Sequence, residues 1–238
     1  VTALLNAKSG GAQVIEFVKR PNLKDMVAKR VDFLTGYQDA AYAQTYSAYI
    51  DKVVAAEAPL ASTKLSEAVA RYLFKLMAYK DEYEVARLHT DPSFAAKIDG
   101  MFEGDFKIVH HLAPPILGKL DRQGKPMKQA FGPWMRSCFA VLAKLKGLRG
   151  GALDVFGKTE ERRTERALIT EYRAAIDELL QGLTAERLAL AVDIARLPED
   201  IRGYGHVKAS HLAKVRTRWA ELIGQWRGDA AAGVARRA

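Results

Sequence analysis

One cysteine in 238 residues leaves nothing for an internal disulfide, a Cys-x-x-Cys redox pair or a cysteine-ligated iron–sulfur cluster. No run approaches the ~20 uninterrupted apolar residues that span a bilayer, and the first residues lack a basic stretch leading into an apolar core. Neither a membrane span nor an intact secretory signal is therefore expected. Also missing are a Gly-x-Gly-x-x-Gly turn, a Walker lysine loop, a His-Glu-x-x-His helix and a Gly-x-Ser-x-Gly elbow, each of which carries a recognisable chemistry. The first residue is Val1 rather than Met, which predicts a processed product or a piece of a longer chain.

What is present is an ordinary globular balance, 49% hydrophobic and 27% charged, long enough to bury a core without staples. The net charge is +9 and it is uneven. Residues 105–158 hold 10 basic and 3 acidic side chains, and residues 203–238 hold 7 and 2. Such a surface suits an acidic partner, although a solvated basic surface explains the same composition.

Apolar residues recur at helical steps over most of the chain. Val27, Val31, Leu34, Ala41, Tyr46, Ile50 and Val53 predict one long helix from Leu23 to Pro59, with Gly36 a weak spot. Leu65, Val69, Leu73, Leu76 and Tyr83 predict a second, from about Ser62 to His89. Asp91-Pro92 starts a short one, Pro133-Trp134 another, and Thr159 caps a third with acids in its first turn. Between Leu188 and Ile194 the pattern could alternate as a strand, but interleaved alanines and Thr184 favour helix. Leu212, Val215, Trp219, Leu222 and Trp226 fall at steps of 3, 4, 3 and 4, a stripe that should pack on the body.

Residues 105–132 differ. Phe106, Ile108 and Val109 look like strand, Pro114-Pro115 interrupts any regular element, and the 121–126 hexapeptide is turn-rich. The expected fold is mainly α, a multi-helix globular domain with a small β-hairpin or irregular β element around 105–132. Its expected divisions are a linker or preceding tail at 1–22, one helical domain over 23–227, and a flexible basic tail at 228–238.

Five histidines offer no helical i,i+4 metal pair. His110 and His111 precede a rigid Pro-Pro and are candidate ligand contacts; on a strand they would point to opposite sides. The plain alternative is one core imidazole and one solvated one. Lys119, Arg122, Lys125 and Lys128 are candidate contacts to phosphate or an acidic partner, with a solvated turn as the alternative. Aromatics are not interleaved with them, as a nucleic-acid site would require. Cys138 has no local histidine to act as its base, which favours a buried structural role over a nucleophilic one.

Four ordered strings carry a resemblance: the residues Arg30–Ala43 and Arg71–His89, His111-Leu112-Ala113-Pro114-Pro115 with Phe131-Gly132-Pro133-Trp134, and Ile201–Lys208. Together, over roughly 24–226, they resemble the C-terminal region of the long, fused bacterial indolepyruvate ferredoxin oxidoreductases. The resemblance implies a cytoplasmic parent enzyme that decarboxylates an aryl 2-oxoacid to an acyl-CoA. Thiamine diphosphate, Mg and [4Fe–4S] clusters would lie in other portions of that parent, with an acidic ferredoxin as acceptor. No catalytic or cofactor-binding residue carries over to this chain. It would then be an accessory region whose partners are the catalytic portions of the same enzyme. The alternative from a different class is an independent basic module that docks an acidic protein or nucleic acid.

Overall fold

The long helices predicted by apolar spacing form as pairs of shorter ones, and an aspartate stands at each break. The computed structural model describes residues 22–104, 106–112 and 127–235. Helices α1 (Leu23–Tyr37) and α2 (Ala40–Glu57) replace the single helix expected from Leu23 to Pro59. Asp39 starts α2 by accepting the Tyr42 N–H at 2.7 Å, satisfying a donor the first turn leaves open. Gly36, the expected weak spot, stays inside α1. Similarly, α3 (Lys64–Met77) and α4 (Glu82–Thr90) are separated at Asp81, which accepts the Glu84 N–H at 2.8 Å. The Asp91-Pro92 start of α5 (Pro92–Asp99) forms as expected, Asp91 accepting from the Ser93 N–H.

Strands β1 (His110–Leu112) and β2 (Gln129–Phe131) pair antiparallel, with His110 opposite Phe131 and Leu112 opposite Gln129. This is the small β element expected within 105–132, although Phe106–Val109 stay outside the ladder. Helix α6 (Met135–Lys144) follows, then α7 (Glu160–Gln181) capped by Thr159, α8 (Leu188–Arg196) and α9 (Gly205–Ala235). The 188–194 ambiguity resolves to helix, beginning after Thr184 rather than on it. Backbone helix in α9 continues past Arg227, where the sequence reading places a tail, through an alanine run of high helix propensity. The fold is mainly α with one small hairpin. Among the described residues no helix is long and apolar enough to cross a membrane.

Two groups of elements follow from the packing. The main core joins α1, α2, α3, α7, α8 and α9 through Leu34, Ile50, Leu73, Leu168, Ile176 and Ile194 among others. Buried tyrosines extend it while tying up carbonyls. Tyr42 donates to Met77 O, which the C-terminus of α3 leaves open, Tyr37 donates to Tyr79 O just beyond it, and Tyr172 donates to Ala195 O. At the other end of α3 the fully buried Glu57 carboxylate accepts from the N–H groups of Leu65 and Ser66 and from the Ser66 hydroxyl. A side lobe holds α4, α5, the hairpin and α6, with Tyr83, Ala86 and Phe139 buried outside the main core. Cys138, next to Phe139, faces solvent, which corrects the expectation of a buried thiol. Because Phe139 takes the inward face of α6, its neighbour on the helix must turn away.

Candidate functional site

The hairpin divides the adjacent histidines as strand geometry requires. His110 is buried and His111 exposed. The His110 ring meets His89 edge-on at 5.1 Å and Phe139 at 5.2 Å, while His89 stacks on Phe139 at 5.1 Å and meets Phe94 edge-on. The imidazoles of β1 and α4 thus close the lobe's small core. Burial lowers the pKa of both, and the neighbouring His110 lowers that of His89 further. The His89 Nδ1 atom is buried without a hydrogen-bond partner. Among the described residues no group of three His, Cys, Asp or Glu side chains could hold a metal ion.

A pH dependence follows. An unfolded imidazole titrates near 6.5, whereas the folded ones take up protons only at lower pH. Between those values the unfolded chain binds more protons, so stability present above about pH 6.5 falls as pH drops below it. The urea midpoint should be lower at about pH 5 than at about pH 7.5, and His89→Phe should shrink that difference. An identical fall in the variant would place its cause elsewhere.

Of the candidate cations, Lys128 is exposed just before β2; Lys119, Arg122 and Lys125 lie outside the described residues. The same lobe exposes large apolar side chains, including Met101, Phe102, Val109, Trp134 and Val141.

Sequence reasoning missed the group that ties the lobe to the main body. Arg149 follows the 3-10 turn Leu145–Leu148 and is buried. It forks onto Asp81, Nε to Oδ2 at 2.5 Å and Nη2 to Oδ1 at 2.9 Å, and donates from Nη1 to the Tyr37 carbonyl at 2.6 Å. Its guanidinium lies 3.7 Å from the Tyr37 ring centroid. Burial alone would lower the Arg149 pKa; Asp81 outweighs it and holds the pKa up. Nearby, Asp154 accepts from the N–H groups of Gly150 and Gly157 and from the Tyr83 hydroxyl. Burial opposes ionisation of Asp154, yet these donors bring its pKa below the ordinary carboxylate value.

Sequence reasoning also missed a cleft of about 290 Å³ between the end of α3, α7 and the start of α9. Leu76, Leu168 and Ile201 contribute apolar lining, and Lys75, Lys80, Arg202 and Lys208 line it together with the Glu165 carboxylate. Lys75 donates to the carbonyls of Pro198 and Glu199, and Arg202 Nε to the Glu199 carbonyl. Glu165 is engaged by Arg162 at 2.6 Å and by Lys208. Tyr204 stands at this cleft, 68% exposed, between Gly203 at φ +89° and Gly205 at φ +53°. A β-carbon at Gly203 would lie 2.7 Å from Val207 Cγ1, so this left-handed bend needs glycine. The two glycines beside Tyr204 were the one local signal; the lysines of α3 could not be assigned to the same place without the fold.

A family model matches residues 23–221, and it describes a family of unknown function (DUF6537). The chain belongs to that family. The match runs from the first residue of α1 into α9, so DUF6537 takes in the main body, the hairpin lobe and the cleft between α3, α7 and α9. No curated protein and no solved structure matches the chain.

Proposed function

We propose that this chain is an accessory region of an indolepyruvate ferredoxin oxidoreductase-like enzyme, with the 2-oxoacid chemistry carried by other portions of the parent protein. The observation that supports this reading is the mutual packing of the strings that carry the resemblance. Tyr37 and Tyr42 of the first string donate to carbonyls of Tyr79 and Met77 in the second. His110, beside the third string, packs on His89, the last residue of the second. Arg202, Tyr204 and Lys208 of the fourth share a cleft with Lys75 and Lys80 of the second. Strings scattered along the chain are thus one connected set of contacts, as expected if the likeness reflects a shared domain.

The chain's own residues do not fit an iron–sulfur cluster, since its one cysteine, Cys138, is an isolated exposed side chain on α6 and such clusters take several thiolates. In this reading the exposed apolar side chains of the lobe, Trp134 and Val141 among them, face the catalytic portions of the same enzyme. Within the basic 105–158 segment, the exposed Lys107, Lys128, Arg136 and Lys144 are available to an acidic ferredoxin.

Intact mass and N-terminal sequencing of the natural protein test the reading. The expected product is a longer chain whose preceding portion holds thiamine-binding and cysteine-rich sequence. The longer protein should reduce a dye acceptor with an aryl 2-oxoacid, whereas the 238-residue chain should not. A natural product without that preceding sequence, and without a separate subunit that supplies it, would overturn the proposal.

A further inference from the structure

The cleft beside Tyr204 gathers cations around an apolar floor, a lining that attracts an anionic ligand. Four cations and one carboxylate line it, and that carboxylate, Glu165, is already shared between Arg162 and Lys208. Lys75 is held on Pro198 O and Glu199 O within reach of the fields of Arg202 and Lys208. Its pKa is lowered, by burial first and by Arg202 next, against the opposing fields of Glu199 and Asp200, with Lys208 adding least. Lys80 makes no ion pair among the described residues. Counting Glu199, which pairs with Arg202 at 3.8 Å from just outside the lining, the formal excess is two positive charges, still more than a single carboxylate ligand would neutralise.

Tyr204 adds the second element. Its ring is exposed at the cleft, held by a two-glycine bend that no ordinary residue pair adopts without strain. An aromatic side chain so mounted offers a flat apolar face for stacking. The volume of about 290 Å³ lies at the lower edge of small-molecule sites, which are mostly apolar with a few placed polar groups.

We propose that this cleft binds a nucleoside phosphate, with the phosphate among Lys75, Arg202 and Lys208 and the base against Tyr204. The site is independent of the enzyme reading above: it rests on the cleft alone and would stand if that reading failed.

The test is a calorimetric titration of the 238-residue chain at low salt with adenosine 5′-monophosphate, adenosine, inorganic phosphate and a short single-stranded oligonucleotide. The monophosphate should bind saturably, and adenosine and inorganic phosphate each more weakly. Arg202→Glu should weaken the monophosphate by about tenfold or more, the loss of a charge-assisted contact. Arg202 is exposed, so circular dichroism of that variant should match the parent. Tyr204→Ala, which removes an exposed ring, should weaken the monophosphate and adenosine but leave inorganic phosphate unchanged. Absence of saturable monophosphate binding would overturn the proposal, as would equal affinity for adenosine or an unchanged affinity in Arg202→Glu. Inorganic phosphate binding as tightly as the nucleotide would also overturn it. So would an oligonucleotide that binds while the monophosphate does not, since the surface would then be a nucleic-acid contact.

Discussion

Replacing Arg149 by Met should destabilise the chain by about 3–5 kcal/mol, the usual cost of removing one partner from a buried ion pair. The reason lies on Asp81. Its two oxygens accept from Nε and Nη2 of Arg149, and both side chains are almost entirely buried. Without the guanidinium, the Asp81 carboxylate keeps only the Glu84 N–H it caps and stays far from water. The Tyr37 carbonyl also loses its 2.6 Å donor. Met fills much of the same volume, so the loss reports charge more than cavity. Adding Asp81→Asn should recover part of it, because an amide retains an acceptor for the α4 cap and leaves no buried charge unpaired. A urea midpoint in Arg149→Met within error of the parent would show that the link between lobe and body is dispensable. A double variant as unstable as the sum of the singles would show that the two side chains do not act as a pair.

That link marks a boundary of what the sequence could show. Local signals were legible where one residue decides a local structure. Asp91-Pro92 and Thr159 each start the helix they announce, through their own side-chain acceptors. The hairpin was legible as a change of pattern and its histidines as a pair facing opposite ways, because alternation on a strand is a local rule. The breaks at Asp39 and Asp81 were not, since the apolar period runs through both and the capping carboxylate looks like any surface acid. Burial of Cys138 was wrongly expected because composition ranks cysteine as a core residue, whereas the register of α6 is set by Phe139. Arg149 with Asp81, and Lys75 with Arg202, are far apart in the chain. Such pairs become neighbours only once α3, α4 and α9 have docked, and no spacing rule reaches them.

The stripe on α9 was legible as a whole, yet its two tryptophans are unequal, and the structure predicts which one holds the helix. Leu212, Val215, Leu222 and Trp226 are buried, while Trp219 is half-buried and meets Tyr172 edge-on at 6.0 Å. Trp226 is 3% exposed, and the Arg187 guanidinium sits 3.5 Å from its ring centroid while donating to the Trp226 carbonyl. Trp226→Ala removes a fully packed ring, so it should cost about 3–5 kcal/mol, as large aromatic deletions in cores do. The guanidinium loses its ring contact as well, and Arg187 Nε already lacks a hydrogen-bond partner. Trp219→Ala should cost less, because that ring takes a smaller area from water. Both should lower the urea midpoint without changing the slope if α9 unfolds together with the rest. Equal losses for the two variants would mean that the partly buried ring contributes more than its contact with Tyr172 accounts for. An unchanged midpoint for Trp226→Ala would mean that the end of α9 separates from the body before the core unfolds.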